Sequence, residues 1–193
     1  MKDVLRFYFL GFYAASLLVF AVKVIPASLR VPQVEHGAQG VARLLPWFLV
    51  FLDVVLPLAI IFTRWGELQV RGMPMRASGF LLSLYAAVML LWASATLGRF
   101  LLPQAVVVKD HNLVTRGPYR FLRHPLYSGD LALLLGAALG TVNMLLLAIW
   151  PVSVLGTYFQ TRQEDALLAS KFGAAYEAYA SRTGGLVPRL DAS

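Results

Sequence analysis

Between residues 111 and 130 the chain reads HNLVTRGPYRFLRHPLYSGD, which gathers two histidines, three arginines, two tyrosines, two prolines and two glycines. Such a stretch can present imidazole, guanidinium and phenol groups to a charged ligand while Gly and Pro shape the backbone around it. It can equally be a basic interfacial loop, with Pro125 at the first turn of a helix, tyrosines at the membrane surface and arginines holding orientation. A second cluster, TRQED from Thr161 to Asp165, sets Glu164 and Asp165 side by side after Arg162. Alone, it also reads as a solvated helix end. Asp53 lies inside an apolar run four residues before Pro57. An ionisable group in such a place is a candidate functional residue, and a hydrogen bond to a neighbouring helix is its structural alternative. His36 reads as a surface loop residue. The chain has no cysteine, so it offers no thiolate nucleophile, disulfide framework or Cys-rich metal site, and no metal is expected.

The elements that must position these groups are membrane helices. Of 193 residues, 59% are hydrophobic and 14% charged, with a mean hydropathy of +0.67; a soluble domain carries about 25% charged residues. The apolar residues are bunched. Phe7 to Val22 is uncharged and flanked by Arg6 and Lys23, Leu44 to Thr63 holds one charge, and Ala77 to Gly98 and Leu131 to Thr161 hold none. A span needs roughly 20 apolar residues. The last run is too long for one ordinary helix, and Gly136, Gly140, Thr141 and Asn143 supply turn chemistry near its middle, so a helical hairpin is expected. The fold class is thus all-α, an integral membrane bundle of about five transmembrane helices. Residues 1–103 hold the first three helices of one membrane domain, and 104–193 hold the loop, the hairpin and the C-terminal region.

Charge placement orients the bundle. With five crossings, Lys23, Arg30, Arg43, Arg99, Lys109, Arg116, Arg120, Arg123, Arg162, Lys171, Arg182 and Arg189 share one side, 12 of 17 basic residues. With four crossings the split is 8 against 9. The positive-inside rule favours five, with the N-terminus outside and the loop 99–123 and the tail from Arg162 together on the cytoplasmic face. His124 and Glu164, 40 residues apart, should then meet. The net charge of +7 fits topology and contact with anionic lipid rather than nucleic acid. In the tail, Leu168, Phe172, Ala175, Tyr176 and Tyr179 recur at helical spacing, so a C-terminal amphipathic helix is expected on the cytoplasmic face, with Gly173 a weakening interruption.

Taken together, LVTRGPYRFLRHPLYSG, a helical hairpin, QED, FGAAYEAYASR and VPR resemble the isoprenylcysteine carboxyl methyltransferase and phospholipid methyltransferase superfamily. The matching positions are Leu113, Val114, Thr115, Gly117, Tyr119, Arg123, His124, Pro125, Tyr127, Gly129, Glu164, Phe172, Gly173, Tyr176, Tyr179, Pro188 and Arg189. Asp165 stands where the family has a second Glu. The resemblance covers residues ~111–190 and reaches the first three helices only as helices. It implies S-adenosyl-L-methionine as cofactor, bound by His111, Leu113, Val114, Gly117, Tyr119, His124, Pro125, Tyr127 and Glu164.

The residue types suit that cofactor, because aromatic faces and a carboxylate can hold a compact sulfonium. Methyl transfer needs alignment and desolvation, and a carboxylate nucleophile needs no general base. Arg123, ahead of Arg162 or Arg120, is the candidate to orient an anionic acceptor by a bidentate contact, and Glu164 to fix cofactor or acceptor geometry. The expected partners are the lipid bilayer and a lipid-like acceptor entering sideways, a prenylcysteine-type carboxylate first. Phospholipid amines and small thiols remain open as acceptors. The competing readings are a membrane NADPH-dependent reductase and a small channel or transporter using Asp53.

Overall fold

The computed structural model describes residues 2–19, 34–37, 44–69, 72–98, 101, 106–108 and 112–189. In chain order its elements are α1 (Lys2–Val19), β1 (Val34–Gly37), α2 (Leu45–Thr63), α3 (Met73–Leu97), β2 (Val106–Val108), a 3-10 turn at Gly117–Arg120, α4 (Pro125–Thr141), α5 (Met144–Phe172) and α6 (Ala174–Ala180). The helical class holds. Its one departure is a short antiparallel ribbon of β1 and β2, which places His36 in a strand opposite Val107 rather than in a loop. Among the described residues, α2, α3 and α5 are each long and apolar enough to cross a membrane. The chain is an integral membrane protein, and large apolar side chains such as Phe62, Leu81, Leu91, Leu155 and Phe159 stand exposed on its surface.

Each helix carries a local reason for its shape. In α2, Pro57 has no N–H to offer the carbonyl of Asp53, and its ring would crowd that group. The helix widens there into a π segment, Phe51–Val55, in which the Leu56 N–H reaches back to the Phe51 carbonyl. α3 and α4 touch through glycines. A Cβ on Gly79 would stand 2.5 Å from the Gly136 carbonyl oxygen and against the backbone of Gly140, and one on Gly136 would stand 2.9 Å from the Gly79 oxygen. Small residues let helix backbones approach this closely in a membrane. Gly136 and Gly140 therefore serve packing and not the hairpin turn. The turn is made at Val142, with φ +55°, and at Asn143, whose side-chain oxygen accepts from the Leu145 and Leu146 N–H groups at the start of α5. The buried centre is Phe9, Tyr13, Ile60, Ile61, Leu133, Leu134, Ala137 and Leu146.

The bundle has two distinct ends. At one, Arg64 pairs with Asp3 at 2.8 Å, Arg6 bonds the Ile61 carbonyl, Asn143 bonds the Trp65 carbonyl, and buried Arg76 bonds the Gly140 carbonyl. The 117–124 loop, the last turns of α5, α6 and the segment to Arg189 gather at the other end. Gly173, with φ +51°, stops α5 outright rather than weakening one continuous tail helix. The short α6 that follows buries Tyr176 and Tyr179 and leaves Ala175 exposed.

Candidate functional site

The tail folds back over the loop and locks it. The Arg123 N–H bonds the Gly184 carbonyl at 2.8 Å, the His124 N–H bonds that of Gly185 at 3.2 Å, and the Gly184 N–H returns a bond to Phe121. Tyr179 donates its hydroxyl to the Tyr119 carbonyl at 2.7 Å. Gly117, with φ +59°, lets the 3-10 turn sit against α3, where a Cβ would lie 2.6 Å from Thr96 Oγ1. Pro125 then opens α4, with His124 preceding it. These contacts aim the RHP segment at the acids of α5.

The meeting of His124 and Glu164 is observed, and Asp165 joins it. His124 is 4% exposed, with Nε2 2.7 Å from Asp165 Oδ1 and Nδ1 3.6 Å from Glu164 Oε2. Burial favours the neutral ring, but the hydrogen bonds and negative charges of Asp165 and Glu164 outweigh it and raise the imidazole from 6.5 to about 9. His124 is accordingly an imidazolium at neutral pH, with Nε2 donating to Asp165 and Nδ1 in ion-pair contact with Glu164. Tyr127 donates to Glu164 Oε1 at 2.5 Å, and Gln160 Nε2 donates to the same oxygen at 3.1 Å. Tyr176 donates to Asp165. The two acids are neighbours in sequence, yet successive residues of a helix point about 100° apart, so Glu164 faces α4 while Asp165 faces α6.

Arg123 lies between the acids and the tail. Its Nη1 donates to the carbonyls of Ala180 and Thr183 at 3.0 and 2.7 Å, its Nη2 is 3.6 Å from Asp165 Oδ2, and its buried Nε has no hydrogen-bond partner. Both of its side-chain hydrogen bonds thus fasten the tail. Arg120 is exposed and lies over the Phe121 ring at 4.3 Å, and Arg162 is exposed. Leu113 and Val114 are half-buried before the 3-10 turn, Tyr119 is buried within it, and His111 lies outside the described residues. Gln160 and Tyr176 belong to the cluster and were not singled out as site residues from sequence. Gln160 carried one signal, standing one helical turn before Glu164.

The arrangement can hold a cationic, hydrogen-bond-donating ligand. Glu164 keeps 23% of its side chain exposed, and the buried Gln160 Oε1 beside it has no partner. That oxygen is fixed as the acceptor end of the amide because its Nε2 is committed to Glu164. Among the described residues no group of three or more His, Cys, Asp or Glu side chains has the form of a metal site.

Comparison with known proteins gives the same family as the motifs. The phospholipid methyltransferase family profile matches residues 74–175, 102 of the 193 residues. The cobalt-zinc-cadmium resistance protein CzcN of Cupriavidus metallidurans is 40% identical over 83 residues, 42% of this chain and 38% of that protein. The protein-S-isoprenylcysteine O-methyltransferase of Schizosaccharomyces pombe is 37% identical over 84 residues, 42% of this chain and 35% of that one. A probable protein-S-isoprenylcysteine O-methyltransferase of Oryza sativa subsp. indica is 34% identical over 84 residues and matched over 44% of its length. The match thus spans less than half of each of these relatives. The chain belongs to the phospholipid methyltransferase family.

Proposed function

We propose that this family member transfers a methyl group from S-adenosyl-L-methionine to a lipid-like acceptor that approaches from within the bilayer. The observation that carries the reading is the state of Glu164. Its carboxylate is held by Tyr127 and Gln160, neighbours an imidazolium, and remains partly open next to a buried acceptor oxygen that has no partner. A sulfonium cofactor bearing amino groups suits that donor-seeking pair. When bound, it supplies a methyl carbon activated for in-line displacement. His124, Tyr127 and Glu164 would hold it, with Leu113, Val114, Gly117, Tyr119 and Pro125 around them and His111 added from the motif.

The chain's own part is alignment and exclusion of water. Tyr127 and Gln160 fix the Glu164 rotamer, Asp165 fixes the imidazole, and the tail holds the His124 backbone. Arg123, if it also orients an anionic acceptor, would use Nη2, since Nη1 already bonds two carbonyls. The preferred acceptor is a prenylcysteine-type carboxylate, which the printed names of two matched relatives support. The family description supports a second acceptor, a phospholipid amine. An amine must lose a proton to act as nucleophile, so turnover rising with pH near the amine's pKa would identify it, whereas a flat profile would identify the carboxylate.

In the same reading the chain crosses the membrane five times, with α4 and α5 as paired crossings, α6 on the cytoplasmic face and the N-terminus outside. The absence of native cysteine makes this testable. An impermeant thiol reagent should label Trp65→Cys from outside intact cells and Ser181→Cys only after lysis, and the reverse pattern would refute the orientation. For the function, labelled S-adenosylmethionine is supplied to detergent-purified protein and lipid fractions are scanned for methyl incorporation. Incorporation into a prenylcysteine or phospholipid fraction is expected, and failure both to bind the cofactor and to label any fraction would refute the reading.

A further inference from the structure

Tyr176 reaches from α6 into the acids of α5. Its side chain is buried, its ring stands edge-on to that of Tyr179, and its hydroxyl donates to Asp165 Oδ1. Burial and that hydrogen bond push the phenol well above its ordinary value, so it keeps its proton and remains a donor. The oxygen it holds is the one that lies 2.7 Å from His124 Nε2, while Arg123 Nη2 is 3.6 Å from Oδ2. The Asp165 side chain is 27% exposed, so water is open to it as an alternative partner. Turning the carboxylate away from the imidazole toward water would break the bond to α6 as well. With Nε2 tied to Asp165, Nδ1 is left toward Glu164 Oε2, at 3.6 Å. The Tyr176 hydroxyl bonds Asp165 and not Glu164, so any influence it has on Glu164 passes through Asp165 and His124.

We propose that Tyr176 is a positioning residue of the methyl-transfer site, acting through Asp165 to hold the His124 ring with Nδ1 turned to Glu164. This role rests on the methyl-transfer reading of the Glu164 cluster. It makes a competent site depend on a seated tail, because the Ala180 and Thr183 carbonyls that follow Tyr176 are the ones Arg123 binds. Tyr179 serves as the comparison. It lies on the same helix and is also buried, but its hydroxyl goes to the Tyr119 carbonyl, so it fastens the tail without bonding Asp165. The groups facing the His124 ring are Asp165 and Glu164 of α5 and Tyr127 of α4, with Arg123 and Tyr176 reaching it through Asp165.

The test compares wild type, Tyr176→Phe and Tyr179→Phe as detergent-purified full-length protein. Nitrogen-15 spectra of the three histidines are recorded at pH 7, with the His124 signals identified by their loss in His124→Asn. Initial rates of methyl incorporation from S-adenosyl-L-methionine into lipid fractions are measured on the same samples. In Tyr176→Phe the His124 Nε2 resonance should move and turnover should fall roughly tenfold, since small misplacements of reacting groups cost rate steeply. Tyr179→Phe should leave that resonance at its wild-type position. A resonance and a turnover in Tyr176→Phe that match those of Tyr179→Phe would overturn the role. If Tyr176→Phe does not fold, Asp165→Asn reads the same grip: His124 should release its proton roughly tenfold more readily once the carboxylate charge is gone, and an unchanged titration would overturn the role instead. Wild type that transfers no methyl group refutes the methyl-transfer reading and the role together. Wild type that does transfer it, with the two phenylalanine variants alike, refutes the role of Tyr176 alone.

Discussion

Glu164 and Asp165 stand at one end of the bundle among a histidine, an arginine and two tyrosines, and each carboxylate has at least two polar partners. Asp53 and Asp130 lie within the helices, where Asp53 is buried with one hydroxyl donor and Asp130 is half-buried. The first pair is charge-balanced by the protein itself and partly open, as a site for an external ligand requires. Among the described residues, the second has no ion pair with a basic side chain. The same residue types therefore carry different chemistry, decided by which partners the fold brings and how much water remains.

That contrast can be broken by removing partners. His124→Ala removes the imidazolium that both carboxylates share and should cost about 3 kcal/mol of stability, toward the lower end for a buried pair because both acids are partly exposed; denaturant unfolding in detergent measures it. The same histidine sets a pH dependence. Its folded value is raised from 6.5 to about 9, so its stabilisation is complete below 6.5 and is lost as pH rises through about 9. The wild-type unfolding midpoint should fall across that window by more than that of His124→Asn, and parallel curves would remove the imidazolium from the account.

Glu164→Gln keeps shape and loses charge. Turnover should drop about a hundredfold, roughly 2.7 kcal/mol, with little change in unfolding midpoint; initial rates of methyl incorporation measure it. Ser153→Ala withdraws the hydroxyl donor from Asp53 and should destabilise by about 1–2 kcal/mol, as loss of a partner from a buried acceptor does. Arg120→Ala should change neither stability nor turnover measurably, with a shift within about 0.5 kcal/mol, because its guanidinium is exposed on Phe121.

The helices were legible in sequence because run length and charge spacing report burial in lipid directly. Leu44–Thr63 was expected and Leu45–Thr63 is found, and the hairpin turn falls at Val142 and Asn143, inside the anticipated stretch. Glycines misled, because a glycine that breaks a helix and one that lets two helices touch look alike in one dimension. Gly136 proved to be a contact with α3 and Gly140 one with Phe9 of α1, and Gly173, expected to be a weak point, is a full stop. The pairing of His124 with Glu164 followed from topology, since the hairpin returns the chain to the same end. The closer partner, Asp165, and the role of Tyr176 depend on side-chain direction at the junction of α5 and α6, which no spacing rule gives. Asp53 was visible as an acid in an apolar run, but Asp130 was hidden at the edge of a polar segment.

The central claim is that the Glu164 cluster receives a cationic nucleoside cofactor. Calorimetric titration of S-adenosyl-L-methionine into detergent-purified wild type, Tyr127→Phe and Glu164→Gln tests it most directly, with NADPH titrated in parallel. The account predicts saturable one-to-one binding to wild type, affinity at least tenfold weaker in both variants, and no heat from NADPH. Equal binding to all three proteins, or binding of NADPH in place of S-adenosyl-L-methionine, would contradict it.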